Sequence, residues 1–531
     1  MTPTTSTNGT ALRPLPPRGR WALLVLAGLA GTCLIVVGAL QPSSPFTSKL
    51  PGSWFMGLPA HPLATGPTPW TGVVPVYGGI ALLLASWVLL VGQVDRHVGM
   101  RRLWVVLGMW AAPLVVAPPL FSRDAYAYVA DGQLVSSGLN PYTHGVDALG
   151  SSRFVHLVDP LWRTTHAAYG PLFLDVVHAD VSLTGHTVVA AIVGMRVLAA
   201  LALAACGACV AAITRSLGHH PARPFALAVL NPLALLYLLA GMHNDVLMLA
   251  LLLAGVAMAT RRHPAIAVVL CAAAASVKLP AALGVVFIAW DWGRRHPGSA
   301  RRWATAAGAM GLAAAAAALV TLGSGFGWGW LVSGSVSGNV VSWLDPSTAL
   351  GLAVGRAVQA AGLGRNTHAA VLAARSIGLV VAAAVSLRMV VRPPRGSLTQ
   401  GLGWGLLSFA VLGPVVWPWY ESWGVALLAV GSTRIGRAAI FAVSAIACYA
   451  TFPSHLALSN GETAFLIASV TCVTGIVGVD VLRRSRSPLP RRAIAGRPAV
   501  QPAAGGSKYS GTSAAGAGSG SEPAPTAPGR C

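Results

Sequence analysis

An aspartate with tyrosines two and four residues on, in Phe121-Ser-Arg-Asp-Ala-Tyr-Ala-Tyr128, opens a long polar segment directly after an apolar run. A carboxylate at the exit of a membrane helix meets lipid head groups, and Asp124 there can serve as general base for an attacking hydroxyl. The competing reading is an N-cap that starts an interfacial helix. Asp131 and Gln133 follow, then the turn signal Gly138-Leu-Asn-Pro-Tyr142. Two further short motifs carry chemistry-bearing side chains, Gly241-Met-His-Asn-Asp245 and Lys278-Leu-Pro280. Asn244 and Asp245 can bind sugar hydroxyls or merely cap the next helix. His243 can be a ligand or a packed interfacial histidine, and Lys278 can bind an anion or snorkel.

The elements that must position these residues are membrane helices. The chain has 531 residues, 55% hydrophobic and 9% charged, where soluble domains carry about 25% charged residues. Apolar stretches of about 20 residues, long enough to span a bilayer, recur from Trp21 to Val481. The formal net charge of +22 does not indicate a nucleic-acid partner, because the basic residues form short clusters between apolar runs rather than one basic face. They read as orientation signals that place both ends of the chain inside. The predicted fold class is all-α, a polytopic transmembrane protein of about 14 spans with short outer interfacial helices. Residues 1–20 are expected to be a disordered cytoplasmic N-terminus, 21–482 the membrane domain with a large outer loop at 121–185, and 483–531 a disordered cytoplasmic tail. The run Trp21 to Leu40 is longer than a signal-peptide core and reads as a retained anchor.

Because basic clusters flank both ends of the apolar stretch Pro264 to Trp292, it is expected to fold back as two short helices with its tip at Lys278-Leu279-Pro280. Phe225 to Thr260 is likewise expected to be two helices meeting outside at Gly241 to Asp245, and Trp417 to Ser422 another outer turn. Tyr169 to Leu183 suits a helix lying at the membrane surface. On this topology Asp95, Asp291, Asp480 and Glu522 are inside, and the other acidic residues of the fourteen in the chain face outside or the outer interface. Polar outer loops explain part of that bias. Asp124, Asp245 and Glu421 at span ends point further, since ionisable groups at such depth are costly and tend to be functional.

Other features are blander. Cys206 and Cys209 have CxxC spacing but lie among alanines in a membrane helix, which favours packing over zinc. Trp162, Tyr169, Trp343, Trp417, Trp419 and Tyr420 fit an interfacial aromatic belt, with sugar stacking as the sharper alternative. Gly323 to Trp330 lacks the P-loop lysine and reads as a flexible loop. Nothing points to a nucleotide, a cofactor or a metal site, and a metal-independent mechanism is expected.

The segments SRDAYAYVADGQLVSSGLNPY, Ala168-Tyr-Gly-Pro171, Gly241-Met-His-Asn-Asp245 and Lys278-Leu-Pro-Ala281 occur in an order and spacing that resembles the polyprenol-phosphomannose-dependent α-1,6-mannosyltransferases of the actinobacterial cell envelope, of the GT-C class. The resemblance covers roughly residues 20 to 480. It implies a plasma-membrane enzyme with its active site on the outer face, a polyprenyl-phosphomannose donor, and a mannan or glycolipid acceptor extended by α-1,6 linkage. It also implies a catalytic aspartate in the first large outer loop, matched here by Asp124, although one span pair precedes that loop. A β-linked lipid-phosphate sugar giving an α-linkage requires inversion, for which one base suffices. The leaving phosphate needs positive charge or hydrogen-bond donors, with Lys278 preferred and His243, Arg123 and Arg163 as further candidates. Tyr126, Tyr128, Asp131, Gln133, Tyr142, Tyr169, Asn244 and Asp245 are the expected sugar or acceptor contacts. A transporter or flippase of a lipid-linked sugar is the competing class. It predicts internal repeats and polar lining through the membrane depth, whereas the polar residues here cluster at one face.

Overall fold

The apolar runs are broken where proline, glycine or a charged residue interrupts them, and those breaks position the site in the computed structural model of the chain. The structure describes residues 17–41, 44, 46, 70–94, 97–332, 340–341, 345–364, 366–394, 397–431 and 433–450. It is all-helical. A first group of helices comprises α1 (Pro17–Ala39), α2 (Trp70–Gln93) and α3 (Met100–Val116). Residues 121–185 then fold as α4 (Asp124–Ser136), α5 (Arg153–Leu157) and α6 (Pro171–Leu183). Next come α7 (Val188–Ser216), α8 (Ala222–Ala228), a π-helical stretch Ala234–Ala240, α9 (Asp245–Thr260), α10 (Pro264–Ala275), α11 (Ala282–Arg294) and α12 (Ser299–Ser324). The described chain closes with α13 (Pro346–Ala360), α14 (Thr367–Val391), α15 (Leu398–Leu412), α16 (Ser422–Ala429) and α17 (Arg434–Tyr449).

Five of the described helices are long and apolar enough to cross a bilayer singly: Gly19–Ala39, Gly72–Gln93, Val188–Ser216, Ser299–Ser324 and Thr367–Val391. The π stretch and α9 pass the same test as a pair bent by 110°. The chain is a multi-pass membrane protein. The sequence expectation of about 14 spans is larger than this number, because it also counted shorter apolar helices such as α10 and α15, and a last span that lies outside the described residues.

The expected breaks are present. Pro264 to Trp292 is two helices, α10 and α11, joined through the 3-10 turn Leu279–Ala281. Proline at the second position of that turn has no N–H to offer the α10 ladder, so the helix stops. The expected meeting point at Gly241 to Asp245 is the sharp bend before α9, with Met242 in the left-handed region at φ 54. Trp417 to Tyr420 is a turn between α15 and α16.

Helix α6 begins at Pro171, two residues later than expected. It buries Phe173, Leu174, Val177 and Val181 against protein, with its closest approach at Gly132 of α4. A Cβ there would fall 2.4 Å from the Val177 carbonyl oxygen. The Gly323 to Trp330 segment departs from expectation. Helix α12 runs on to Ser324, and Trp330 is buried in a small cluster with Tyr142, Ala167 and Leu174. The Asn140 side-chain amide donates to the Phe326 carbonyl at 2.9 Å. Its aromatic residues pin it to Tyr142, Ala167 and Leu174, a long-range packing that glycine content alone does not reveal.

Candidate active site

Two chain turns with uncommon backbone conformations come together at the site. Phe121, three residues before Asp124, has φ 66, and Met242, beside His243, has φ 54. Bulky residues rarely adopt this region, and such strain persists only where the surroundings over-determine it. What over-determines it here is Arg196 in the middle of α7. Its Nη1 donates to the carbonyls of Leu239 and Ala240 at 2.7 and 3.0 Å. Its Nη2 donates to those of Ala117 and Pro118 at 3.0 and 3.2 Å. Leu239 and Ala240 end the π stretch and Ala117 and Pro118 directly follow α3, so these carbonyls lie at helix C-termini, where a cation is favoured. The Leu120 N–H completes the junction by donating to Ala240 at 3.2 Å.

The junction brings the Asp124 carboxylate within 3.7 Å of His243 Nε2. Burial raises the Asp124 carboxyl to about 6, against the lowering effects of its hydrogen bond with Ser122 and the Lys278 charge. The Lys278 ammonium lies 2.9 Å from both Asp245 carboxylate oxygens. Asp245 also accepts the Trp423 indole N–H at 2.6 Å. The ammonium sits 4.5 Å from the centre of the Tyr420 ring, a cation–π distance. The Lys278 turn is held in turn by Tyr169-Gly-Pro171: Gly170 N–H donates to Val277 O and Leu172 N–H to Ser276 O, each at 3.0 Å.

Asp124 and Lys278 face one cavity of about 560 Å³, within the usual range for ligand sites. Asp131, His166, Trp162, Trp417, Trp419 and Tyr420 add polar and aromatic wall. Apolar lining comes from Leu279, Leu283, Val286, Leu379, Leu406 and Phe409, contributed by the Lys278 turn, α11, α14 and α15. Of the sequence candidates, Asp124, Asp131, Tyr169 and Lys278 line the cavity. His243, Asn244 and Asp245 are buried directly behind that lining.

Others are near without lining it. The Tyr128 hydroxyl hydrogen-bonds the Asn244 backbone N–H and the Tyr169 hydroxyl, while the Tyr142 hydroxyl donates to the Tyr169 carbonyl at 2.8 Å. These tyrosines hold the wall in place. Tyr126 is buried in the core with its hydroxyl unpartnered among the described residues. Gln133 contacts His186 at 3.0 Å, and Arg163 is committed to the carbonyls of Val158 and His156 at 3.1 Å each. Arg123 is the N-cap position of α4 and does not line the cavity. Trp343 lies outside the described residues. Sequence reasoning missed Arg196 and Trp423. An arginine inside a 29-residue apolar helix, away from its basic last turn, was a legible signal; for Trp423 there was none.

Residues 25–294 match the family described as alpha-(1->6)-mannopyranosyltransferase, N-terminal domain, and residues 347–481 match the MptB C-terminal domain. A probable alpha-(1->6)-mannopyranosyltransferase of Mycolicibacterium smegmatis is 30% identical over 91% of this chain and 92% of its own length. Alpha-(1->6)-mannopyranosyltransferase B of Corynebacterium glutamicum is 29% identical over 86% and 80%, respectively. Alpha-(1->6)-mannopyranosyltransferase A of Mycobacterium tuberculosis is 29% identical over 78% and 82%. No solved structure matches the chain.

Proposed function

The chain belongs to the alpha-(1->6)-mannopyranosyltransferase family, and we propose that it moves mannose from a polyprenyl-phosphate carrier to an α-1,6-mannan or lipomannan-type acceptor at the outer face of the plasma membrane. The observation that carries the reading is the shared cavity. It joins a half-buried carboxylate, Asp124, to a lysine, Lys278, and continues into an apolar lining suited to a prenyl chain.

In this reading Asp124 removes the proton of the acceptor hydroxyl as that oxygen attacks the anomeric carbon from the face opposite the phosphate. The configuration inverts from β to α in one displacement. With the carboxyl raised to about 6, Asp124 is mostly ionised at neutral pH yet a stronger base than an ordinary aspartate. Lys278, balanced by Asp245 in the resting site, presents its ammonium to the departing lipid phosphate. Trp417 and Trp419, stacked 5.1 Å apart, offer an aromatic platform for sugar rings. Arg123 and Arg163 remain candidates for the phosphate only through a movement of their loops toward the cavity.

The test is transfer of radiolabelled mannose from polyprenyl-phosphomannose to a short α-1,6-mannoside by membranes containing the full chain, with the new linkage identified by NMR. An α-1,6-linked product supports the reading. Transfer from a sugar nucleotide with no lipid-linked donor present contradicts it.

A further inference from the structure

Directly behind Asp124 is a histidine with one ring nitrogen committed and the other left over. His243 is completely buried. Its Nδ1 lies 2.8 Å from the Tyr237 carbonyl, an acceptor, so Nδ1 carries the ring proton. Nε2 is then a lone pair, without a hydrogen-bond partner among the described residues, 3.7 Å from Asp124 Oδ2. Two facing acceptors repel when neither holds a proton, and a buried orphan acceptor is costly. One proton between them satisfies both. The ring cannot swing toward the cavity, because Trp419 covers its face at 3.6 Å with the planes 21° apart.

We infer that His243 is a positioning residue that acts through Asp124, forming with it a pair that holds the proton taken from the acceptor hydroxyl. The inference rests on the transfer reading above. As the bond from the acceptor oxygen to the anomeric carbon forms, the bond from that carbon to the phosphate oxygen breaks, and the lipid phosphate leaves with the electron pair. The hydroxyl proton goes to the Asp124 carboxylate and stays there, directed toward the lone pair of His243 Nε2, because burial keeps that ring neutral. After the products depart it passes from Asp124 to water. Lys278, Asp245 and Asp159 are the charged groups acting on Asp124, and Lys278 also acts on His243. Burial and the Lys278 charge both oppose an imidazolium, so His243 serves as the neutral acceptor of the pair.

The test measures kcat and donor KM of full-length wild-type and His243→Gln protein with polyprenyl-phosphomannose, from about pH 5 to 8. The expected result for His243→Gln is a kcat lower by about 100-fold with donor KM unchanged. The acid limb of kcat also shifts to lower pH, because the protonated carboxyl loses the lone pair it donates to. A raised donor KM with kcat intact overturns the inference in favour of a phosphate contact. A kcat loss with the acid limb unmoved overturns it in favour of simple packing. If His243→Gln does not fold, the wild-type protein decides alone. The 15N resonance of His243 Nε2 in labelled protein is expected to move as pH falls through about 6 and the Asp124 carboxyl begins to donate to it, and a resonance that stays unmoved contradicts the pair. A wild-type protein that transfers no mannose fails the underlying reading itself, an outcome distinct from all of these.

Discussion

Lys278 and Asp245, 33 residues apart in the chain, meet with the ammonium 2.9 Å from each carboxylate oxygen, and Asp245 is wholly buried. The pair fastens the turn before α11 to the first turn of α9, and it presents a positive group to the cavity whose charge is already balanced. Removing one partner of a buried pair costs about 3–5 kcal/mol, because the other charge is left uncompensated. Asp245→Asn is therefore expected to lower the thermal unfolding temperature clearly. Lys278→Met in the same background should recover part of that loss without recovering mannose transfer. Calorimetry or light-scattering melts of the two variants check this.

Gly170 has no room for a side chain. A Cβ would stand 2.1 Å from the Ser276 carbonyl oxygen, which is backbone and cannot swing aside. Gly170→Ala should break the two hydrogen bonds that join Tyr169-Gly-Pro171 to the Lys278 turn, with a stability loss of about 1–3 kcal/mol. It should also give a donor KM at least several-fold higher, read in the transfer assay.

Arg196 satisfies four buried carbonyls with two nitrogens. Lysine is a single point donor without the planar fork, so Arg196→Lys leaves some of them unpaired at roughly 1–3 kcal/mol each. The Asp124 and His243 turns then lose their common anchor. The expected readout is a kcat reduced by tenfold or more with donor KM little changed, since Arg196 does not line the cavity.

Burial pushes the Asp131 carboxyl up to about 8 and the Asp124 carboxyl up to about 6. Asp131 is thus expected mainly protonated at neutral pH, whereas Asp124 is mainly ionised. Activity should fall as pH drops through about 6 and Asp124 takes up its proton. Asp131→Asn replaces a neutral acid by a neutral amide of the same shape and should keep activity within about threefold. Rate profiles of the wild type and Asp131→Asn check both points.

The four short motifs were legible because each is local: a turn, a helix start or a proline break leaves its mark in adjacent residues. The break at Lys278-Leu279-Pro280 followed from proline chemistry and from basic residues on both flanks. The way the motifs meet was not legible. Asp245 receives Trp423 across 178 residues, and Arg196 reaches its carbonyl partners across 43 to 79. Such contacts are set by how the helices pack, not by neighbouring sequence. The same limit explains Tyr128 and Tyr142. Their type and place suggested sugar contacts, whereas their rings and hydroxyls are taken up by Tyr169, Phe173 and Asn244.

The central claim, that Asp124 is the base of a mannosyl transfer, is tested most directly by single-turnover transfer from polyprenyl-phosphomannose with Asp124→Asn protein at wild-type abundance and unchanged melting temperature. The account predicts a rate reduced by at least about 100-fold with donor binding retained. Transfer at the wild-type rate would contradict it and move the base elsewhere on the cavity wall.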